Sequence, residues 1–159
     1  MTLKKNDLIF MQRALTLAQN AANADEIPVG AVVTLDNIVI GEGCNQLIGR
    51  NDPTAHAEII AIRQAAQHLQ NYRLVNATLY VTLEPCPMCA YAILHARIAR
   101  LVYAAADPRT GACGSAIDLF AAHHWNHKII CEQGPLQEEC SHVLREFFQE
   151  RRIKDSIPQ

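Results

Sequence analysis

Apolar residues recur along the chain at two spacings, and the changes between those spacings mark out its elements. Leu8, Met11, Leu15, Ala18 and Ala22 follow one another at helical spacing and make a single apolar face. Asn6 stands where a cap would sit, and Asp7 falls where the positive end of the helix dipole favours an acid. Pro28 ends that pattern. Two β-branched runs, 29–35 and 38–40, are split by Asp36-Asn37, which predicts a tight antiparallel hairpin. Gly41, Gly43 and Gly49 are expected to loosen the stretch that follows, around Asn45. Asp52-Pro53-Thr54 is a helix-start signal, so residues 55–69 form the second predicted helix. Strands are predicted at 77–83, 101–106 and 128–132. A third helix, 88–96, is opened by Pro87. The closing helix, 137–154, carries Cys140, Val143, Leu144, Phe147 and Phe148 on or near its buried side, with Leu136 just before it.

Strands alternating with helices predict a three-layer α/β/α domain, with helices on both faces of a central mixed five-stranded sheet. The first two strands are expected to be antiparallel and the later ones parallel. No repeat, low-complexity segment or linker interrupts the pattern. Residues 1–159 therefore read as one domain, with the C-terminal helix at about 137–154 packed against it.

Composition changes this picture little. The 159 residues are 50% hydrophobic and 19% charged, as in ordinary soluble domains, and no apolar run approaches the ~18 residues of a membrane span. The first residues lack the apolar core and small-residue cleavage site of a secretory signal, so a cytoplasmic protein with reduced cysteines is expected. A net charge of −2 gives no sign of an extended nucleic-acid footprint, while leaving room for a local one.

The chemistry gathers around two short stretches. His56 and, in Pro85-Cys86-Pro87-Met88-Cys89, the two thiols supply one imidazole and two sulfurs. Three protein ligands with a place left for water describe a catalytic zinc site; a structural one closes its shell with four. Cys86 and Cys89 are three apart at a helix start, where they share a face and where the dipole favours thiolate. Glu58, two residues past the histidine, is placed to act as proton shuttle. Residues two apart do not face each other on a regular helix, so His56 and Glu58 converge only if they lie in its first turn. His-x-Glu followed by Pro-Cys-x-x-Cys is the pattern of the zinc nucleobase deaminases, in which water replaces the amino group of an extruded base. Taken alone, Cys-x-x-Cys is also a redox motif, His56 a packed or solvated histidine, and Glu58 a first-turn acid favoured by the dipole.

The chain resembles the bacterial tRNA-specific adenosine deaminase family. The likeness runs through Pro28-Val29-Gly30-Ala31-Val32, Gly41-Glu42-Gly43 with Asn45, and Asp52-Pro53-Thr54-Ala55-His56-Ala57-Glu58. It continues through Asn71-Tyr72-Arg73-Leu74, 78–86, Asp107 and Thr110-Gly111, and closes on Phe147-Phe148 before Arg151-Arg152. The resemblance implies a cytidine-deaminase-like fold and a homodimer. It further implies one zinc ion per subunit on His56, Cys86 and Cys89, with Glu58 as the proton shuttle. It implies base contacts from Asn45 and the Ala57 amide. The C-terminal helix would meet a tRNA anticodon stem-loop, with Asp107, Arg109, Phe148, Arg151 and Arg152 as candidate RNA contacts. The implied reaction is adenosine to inosine at the wobble position. Two departures stand out: Cys44 replaces a bulkier aromatic before Asn45, which would alter the pocket wall, and Ala106 brings no charge beside Asp107.

Other residues have plainer readings. Arg145, Arg151, Arg152 and Lys154 are interleaved with Glu146, Glu150 and Asp155, as on a solvated helix face. Of Phe147 and Phe148, at least one is expected in the core. His123, His124 and His127 lack the acids or thiols that frame a metal, and Cys113, Cys131 and Cys140 read as small core residues. Asn45 alone also suits a turn between glycines. A deaminase of a free base such as guanine shares the central words, and a non-catalytic zinc-stabilised module shares the ligands. The segment Thr82-Leu83-Glu84 and the C-terminal Phe-Phe and Arg-Arg pairs favour the RNA enzyme; a glutamate suited to proton transfer speaks against the module.

Overall fold

In the computed structural model, residues 4–122 and 124–158 are described. The chain runs α1 (Asp7–Asn23), β1 (Gly30–Leu35), β2 (Ile38–Cys44), α2 (Leu47–Arg50), α3 (Ala57–Leu69), β3 (Thr78–Leu83), α4 (Pro87–His95), β4 (Arg100–Ala105), β5 (Ile130–Gln133) and α5 (Gln137–Asp155). The strands form one sheet in the order β2-β1-β3-β4-β5. β1 lies antiparallel to both β2 and β3, while β3, β4 and β5 are parallel. The mixed sheet expected from the sequence is the one that forms. Leu35 pairs with Ile38 across Asp36-Asn37, whose φ values of 52° and 63° are what a two-residue I′ turn requires.

Side-chain alternation splits the core in two. Ala31, Val33, Leu79, Val81 and Leu101 face α3 and α4, meeting Ala57, Ala61, Ala65, Ala90 and Ile93. Their neighbours Val32, Tyr80 and Val102 face the other way, onto Phe10, Met11, Ala14 and Leu15 of α1 and Cys140 of α5. Fully buried side chains such as Met11, Leu79 and Ile93 each stabilise the fold by ~1.5–3 kcal/mol.

Several local expectations are corrected. β2 continues to Cys44, so Gly41 and Gly43 are paired strand residues, opposite Val33 and Ala31, with a register shift only on the Ile40 side of Gly41. A Cβ at Gly41 would collide with the Ala61 carbonyl oxygen and one at Gly43 with that of Ala57. Their absence lets the α3 backbone ride directly on the strand. α3 begins at Ala57, two residues later than predicted, because Asp52 Oδ1 accepts from both the amide (2.9 Å) and the hydroxyl (2.7 Å) of Thr54, turning the chain first. Asn6 makes no side-chain cap bond. Asp7 does lie in the first turn of α1, but it is 1% exposed and held at 2.8 Å by Arg100 Nη1, Arg100 Nη2 and the Tyr80 hydroxyl. Arg100 also donates through Nε to Glu132 at 2.6 Å. Four elements are thus tied together where β4 begins. The site lies at the other end of the sheet.

Candidate active site

β3 and β4 end at Leu83 and Ala105, and the segments that follow carry Cys86 and Asp107. Carboxyl ends of parallel strands are where open α/β sheets build their crevices. His56 is the N-cap residue of α3, with extended backbone (φ −68°, ψ 152°), and Cys86 is the N-cap of α4 (φ −72°, ψ 171°), with Pro87 behind it. Two helix starts therefore meet, each offering a ligand from its cap. Because His56 stands just outside the helix, its ring and the Glu58 side chain escape the divergence that two-residue spacing imposes on a regular helix.

His56 Nδ1 lies 3.6 Å from Cys86 Sγ and 3.4 Å from Cys89 Sγ. With Zn–N near ~2.05 Å and Zn–S near ~2.3 Å, a tetrahedral ion holds nitrogen and sulfur about 3.6 Å apart. Both separations are close to that value and all three ligand atoms lie within 4.8 Å of one another, so the three side chains suit a zinc ion. Among the described residues they are the one cluster of three or more such ligands. The two thiols are pushed in opposite directions. A hydrogen bond from Cys89 lowers Cys86 to about 4, aided by His56 and opposed by burial. Cys89 is held far above the usual thiol range by that bond and by burial. His56 is raised by its hydrogen bond to Cys86. The lowered Cys86 favours the thiolate a metal needs, and binding a metal through Cys89 as well would release that thiol's proton.

Glu58 is 4% exposed, and its Oε2 accepts from Cys89 Sγ at 3.3 Å. Burial raises its pKa above the ordinary carboxyl value, with the hydrogen bonds only partly opposing this. A carboxyl tuned upward beside a metal-ligand cluster suits proton transfer at neutral pH.

His56, Cys86 and Glu58 line a cavity of about 770 Å³ together with Asn45, Asp107, Arg109 and Phe148, and Cys89 is buried behind them. The Ala57 amide donates to Asn45 Oδ1 at 2.9 Å. That bond fixes the Asn45 amide so that its nitrogen is the donor left for a base, while the Ala57 N–H is engaged internally. Cys44 does not line the cavity. Arg109, Leu144, Phe148 and Arg151 are shared with an adjoining groove of about 720 Å³ that includes Arg145 and Arg152.

The candidate RNA contacts differ in what they are free to do. Arg109 and Arg152 are exposed, and Phe148 is 42% exposed while Phe147 is buried. Asp107 is spent on its own loop, accepting from the Arg109 amide and from the Thr110 amide and hydroxyl. Arg151 stacks over the Phe147 ring at 4.8 Å and donates to the Asp25 carbonyl at 2.6 Å. Arg145 pairs with Glu138. Of the three histidines, His123 lies outside the described residues, His124 packs against Trp125, and His127 bonds the Ile98 carbonyl. Cys113 and Cys140 are buried, and Cys131 is half-buried.

Two buried acids were missed from the pattern. Glu26 accepts the amides of Ile48 and Gly49, and Glu84 accepts those of Asp107, Cys113 and Ser115. Both line the cavity. The available signal was a carboxylate flanked by apolar and proline residues, as in Leu83-Glu84-Pro85, where solvent cannot satisfy it.

The paired helix starts, the His-Cys-Cys cluster and the buried glutamate, set at the end of a mixed sheet, define the nucleobase deaminase class. Comparison with known proteins narrows this. Residues 5–152 match the family model for MafB19-like deaminase. The chain is 55% identical over 149 residues to a tRNA-specific adenosine deaminase of Haemophilus influenzae, covering 93% of this chain and 86% of that protein. It is 47% identical to that of Agrobacterium fabrum, covering 92% and 96%. A structure solved in work on A-to-I editing by tRNA:A34 deaminases superposes with a TM-score of 0.83 at 45% identity, covering 86% of this chain and 99% of that one. The guanine deaminase of Nitrosomonas europaea is more distant, at a TM-score of 0.76 and 25% identity over 92% of this chain and 86% of that one. The chain belongs to the MafB19-like deaminases and, among them, to the tRNA-specific adenosine deaminase family.

Proposed function

We propose that this protein hydrolyses adenosine to inosine at the wobble position of a tRNA anticodon. The observation that carries the reading is the open-sided cluster of one imidazole and two thiols, with Glu58 against it, at the floor of a cavity continuous with an arginine-lined groove. His56, Cys86 and Cys89 would hold one zinc ion per subunit, which when bound makes water a competent nucleophile at neutral pH.

The chain's own groups do the rest. The cavity admits an extruded base, and Asn45, fixed by the Ala57 amide, presents its side-chain nitrogen to a ring acceptor. Glu58 accepts the proton of the attacking water as oxygen bonds to C6, and delivers it to ring N1. It then moves the remaining proton to the amino group as the C6–N bond breaks, so adenosine and water become inosine and ammonia. Phe148 and the exposed Arg109 and Arg152 stand at the mouth, where flanking bases and phosphates would lie. Arg151 and Asp107 support this surface from behind through the bonds described above. A homodimer and a cytoplasmic location accompany the reading through the family likeness; sedimentation at micromolar concentration tests the first. No helix among the described residues is long and apolar enough to cross a membrane.

The decisive experiment is sequencing total tRNA after incubation with the zinc-loaded protein, with adenosine read as guanosine at the wobble position as the expected result. Ammonia release from free guanine with the stem-loop untouched would replace this reading by the guanine one.

A further inference from the structure

Glu84 is a carboxylate 2% exposed to solvent that forms no ion pair among the described residues. Its Oε2 accepts from the Asp107 amide at 2.9 Å and from the Ser115 hydroxyl; its Oε1 accepts from the amides of Cys113 at 3.0 Å and Ser115 at 3.1 Å. A buried charge satisfied wholly by backbone and hydroxyl donors fixes the backbone that supplies them. That backbone is the 107–115 loop, which carries Asp107, Arg109 and Thr110 along the wall of the cavity. Gly111 completes the fit, since a Cβ there would collide with the Glu84 carboxyl carbon. On the other side, Glu84 is two residues from Cys86, and the Ala112 amide donates to the Pro85 carbonyl at 2.8 Å.

We propose that Glu84 is a positioning residue for substrate capture: it sets the 107–115 loop so that Arg109 and Thr110 face the nucleotides flanking the target base. The proposal rests on the polynucleotide substrate argued above. Glu84 itself moves no proton in the reaction, because every lone-pair direction the loop offers it is taken.

Glu84→Gln tests this with little change of shape. Whichever way the amide turns, its NH₂ faces an N–H donor in place of an acceptor, so the loop loses part of its anchor. With an anticodon stem-loop as substrate, KM rises about tenfold, kcat stays within about threefold, and zinc content is unchanged. Arg109→Ala raises KM too, and the double variant is no worse than the poorer single one, because Glu84 acts through that residue's placement. Hydrogen exchange of the Asp107, Cys113 and Ser115 amides speeds up in Glu84→Gln, a readout that needs no substrate. Ser115→Ala and Gly111→Ala disturb the same anchor from the loop side and give the same split if Glu84→Gln does not fold. A fall in kcat or zinc content with KM unmoved, additive effects with Arg109→Ala, or unchanged amide exchange would each overturn the proposal. A wild-type protein inactive on the stem-loop would instead remove the tRNA reading, with the exchange measurement still judging the loop anchor.

Discussion

Glu58 and Asp7 are both carboxylates in the first turn of a helix, and both are almost wholly buried, yet their surroundings push them in opposite directions. Burial raises the pKa of each. At Asp7 this is outweighed by hydrogen bonds from Arg100, Tyr80 and the Lys4 amide, which hold the carboxyl below its usual value. At Glu58 burial wins: the hydrogen bonds, including that from the Cys89 thiol, and the nearby His56 ring oppose it only in part, and the pKa stays raised. Glu84 sits with Asp7 in having both oxygens occupied by donors from the protein, and Glu26 has its Oε1 held by the amides of Ile48 and Gly49. An acid saturated with internal donors is a strut. Glu58, left with a weak thiol partner and facing a cavity, has capacity to exchange a proton with something that enters.

The sharpest way to break this contrast is to neutralise each acid in turn. Glu58→Gln keeps the shape of the side chain and removes its ability to carry protons. Turnover should fall by on the order of 10³-fold, while zinc content is retained and the melting temperature stays within about 3 °C of wild type. A protein whose deamination survives the change would be a binding module or would use another base. The same isosteric substitution at the other end of the sheet gives the reverse pattern. Asp7→Asn leaves Arg100 buried with only Glu132 as a charged partner, and removing one member of such a pair costs about 3–5 kcal/mol. Denaturant unfolding should show that loss, with kcat per folded, metal-loaded molecule unchanged.

Acid titration sharpens the same comparison. The folded pKa of Asp7 lies below its ordinary 3.8, so the stabilisation from this ion pair is complete above that value and is lost as pH falls through the folded pKa. Wild-type stability should therefore begin to decline below about pH 4, and Asp7→Asn should flatten that part of the curve. Equal acid slopes in the two proteins would show that the pair is not what the low-pH transition reports.

The two regions were not equally legible in the sequence. The His-Cys-Cys cluster and Glu58 could be read because residue type and short spacing carry the information: two thiols three apart behind a proline, and a glutamate two past a histidine at a helix start. The strand–helix alternation likewise gave the mixed sheet, since periods of two and of 3.6 residues survive in a one-dimensional string. The Asp7–Arg100 pair joins residues 93 apart, and neither carries a local mark of the other, so Asp7 reads as a dipole partner when it is the centre of a buried knot. Gly41 and Gly43 were misread for a related reason. Their function depends on what packs above them, which the local pattern does not contain. Arg151 was opaque in the same way, since the Asp25 carbonyl it bonds lies 126 residues away, whereas Asp107 bonds Arg109 and Thr110 within its own turn.

The smallest expected effect tests whether the Asp7 knot is a pair or a network. Tyr80→Phe removes one donor to Asp7 Oδ1, but Arg100 Nη1 still reaches the same oxygen at 2.8 Å, so no buried charge is left without a partner. Losing one hydrogen bond under those conditions should cost about 1 kcal/mol, well short of the Asp7→Asn loss. If the bonds act independently, adding Tyr80→Phe to Asp7→Asn costs the sum of the two. A network predicts less, since the hydroxyl donates to the very group that has been changed. Because Phe10 packs on the Tyr80 ring with centroids 5.3 Å apart, the aromatic contact is preserved and the cycle isolates the hydroxyl. Deamination should be untouched throughout this series, since the hydroxyl lies at the end of the sheet away from Glu58; a change in kcat here would mean that the strut and the proton shuttle are coupled through β3.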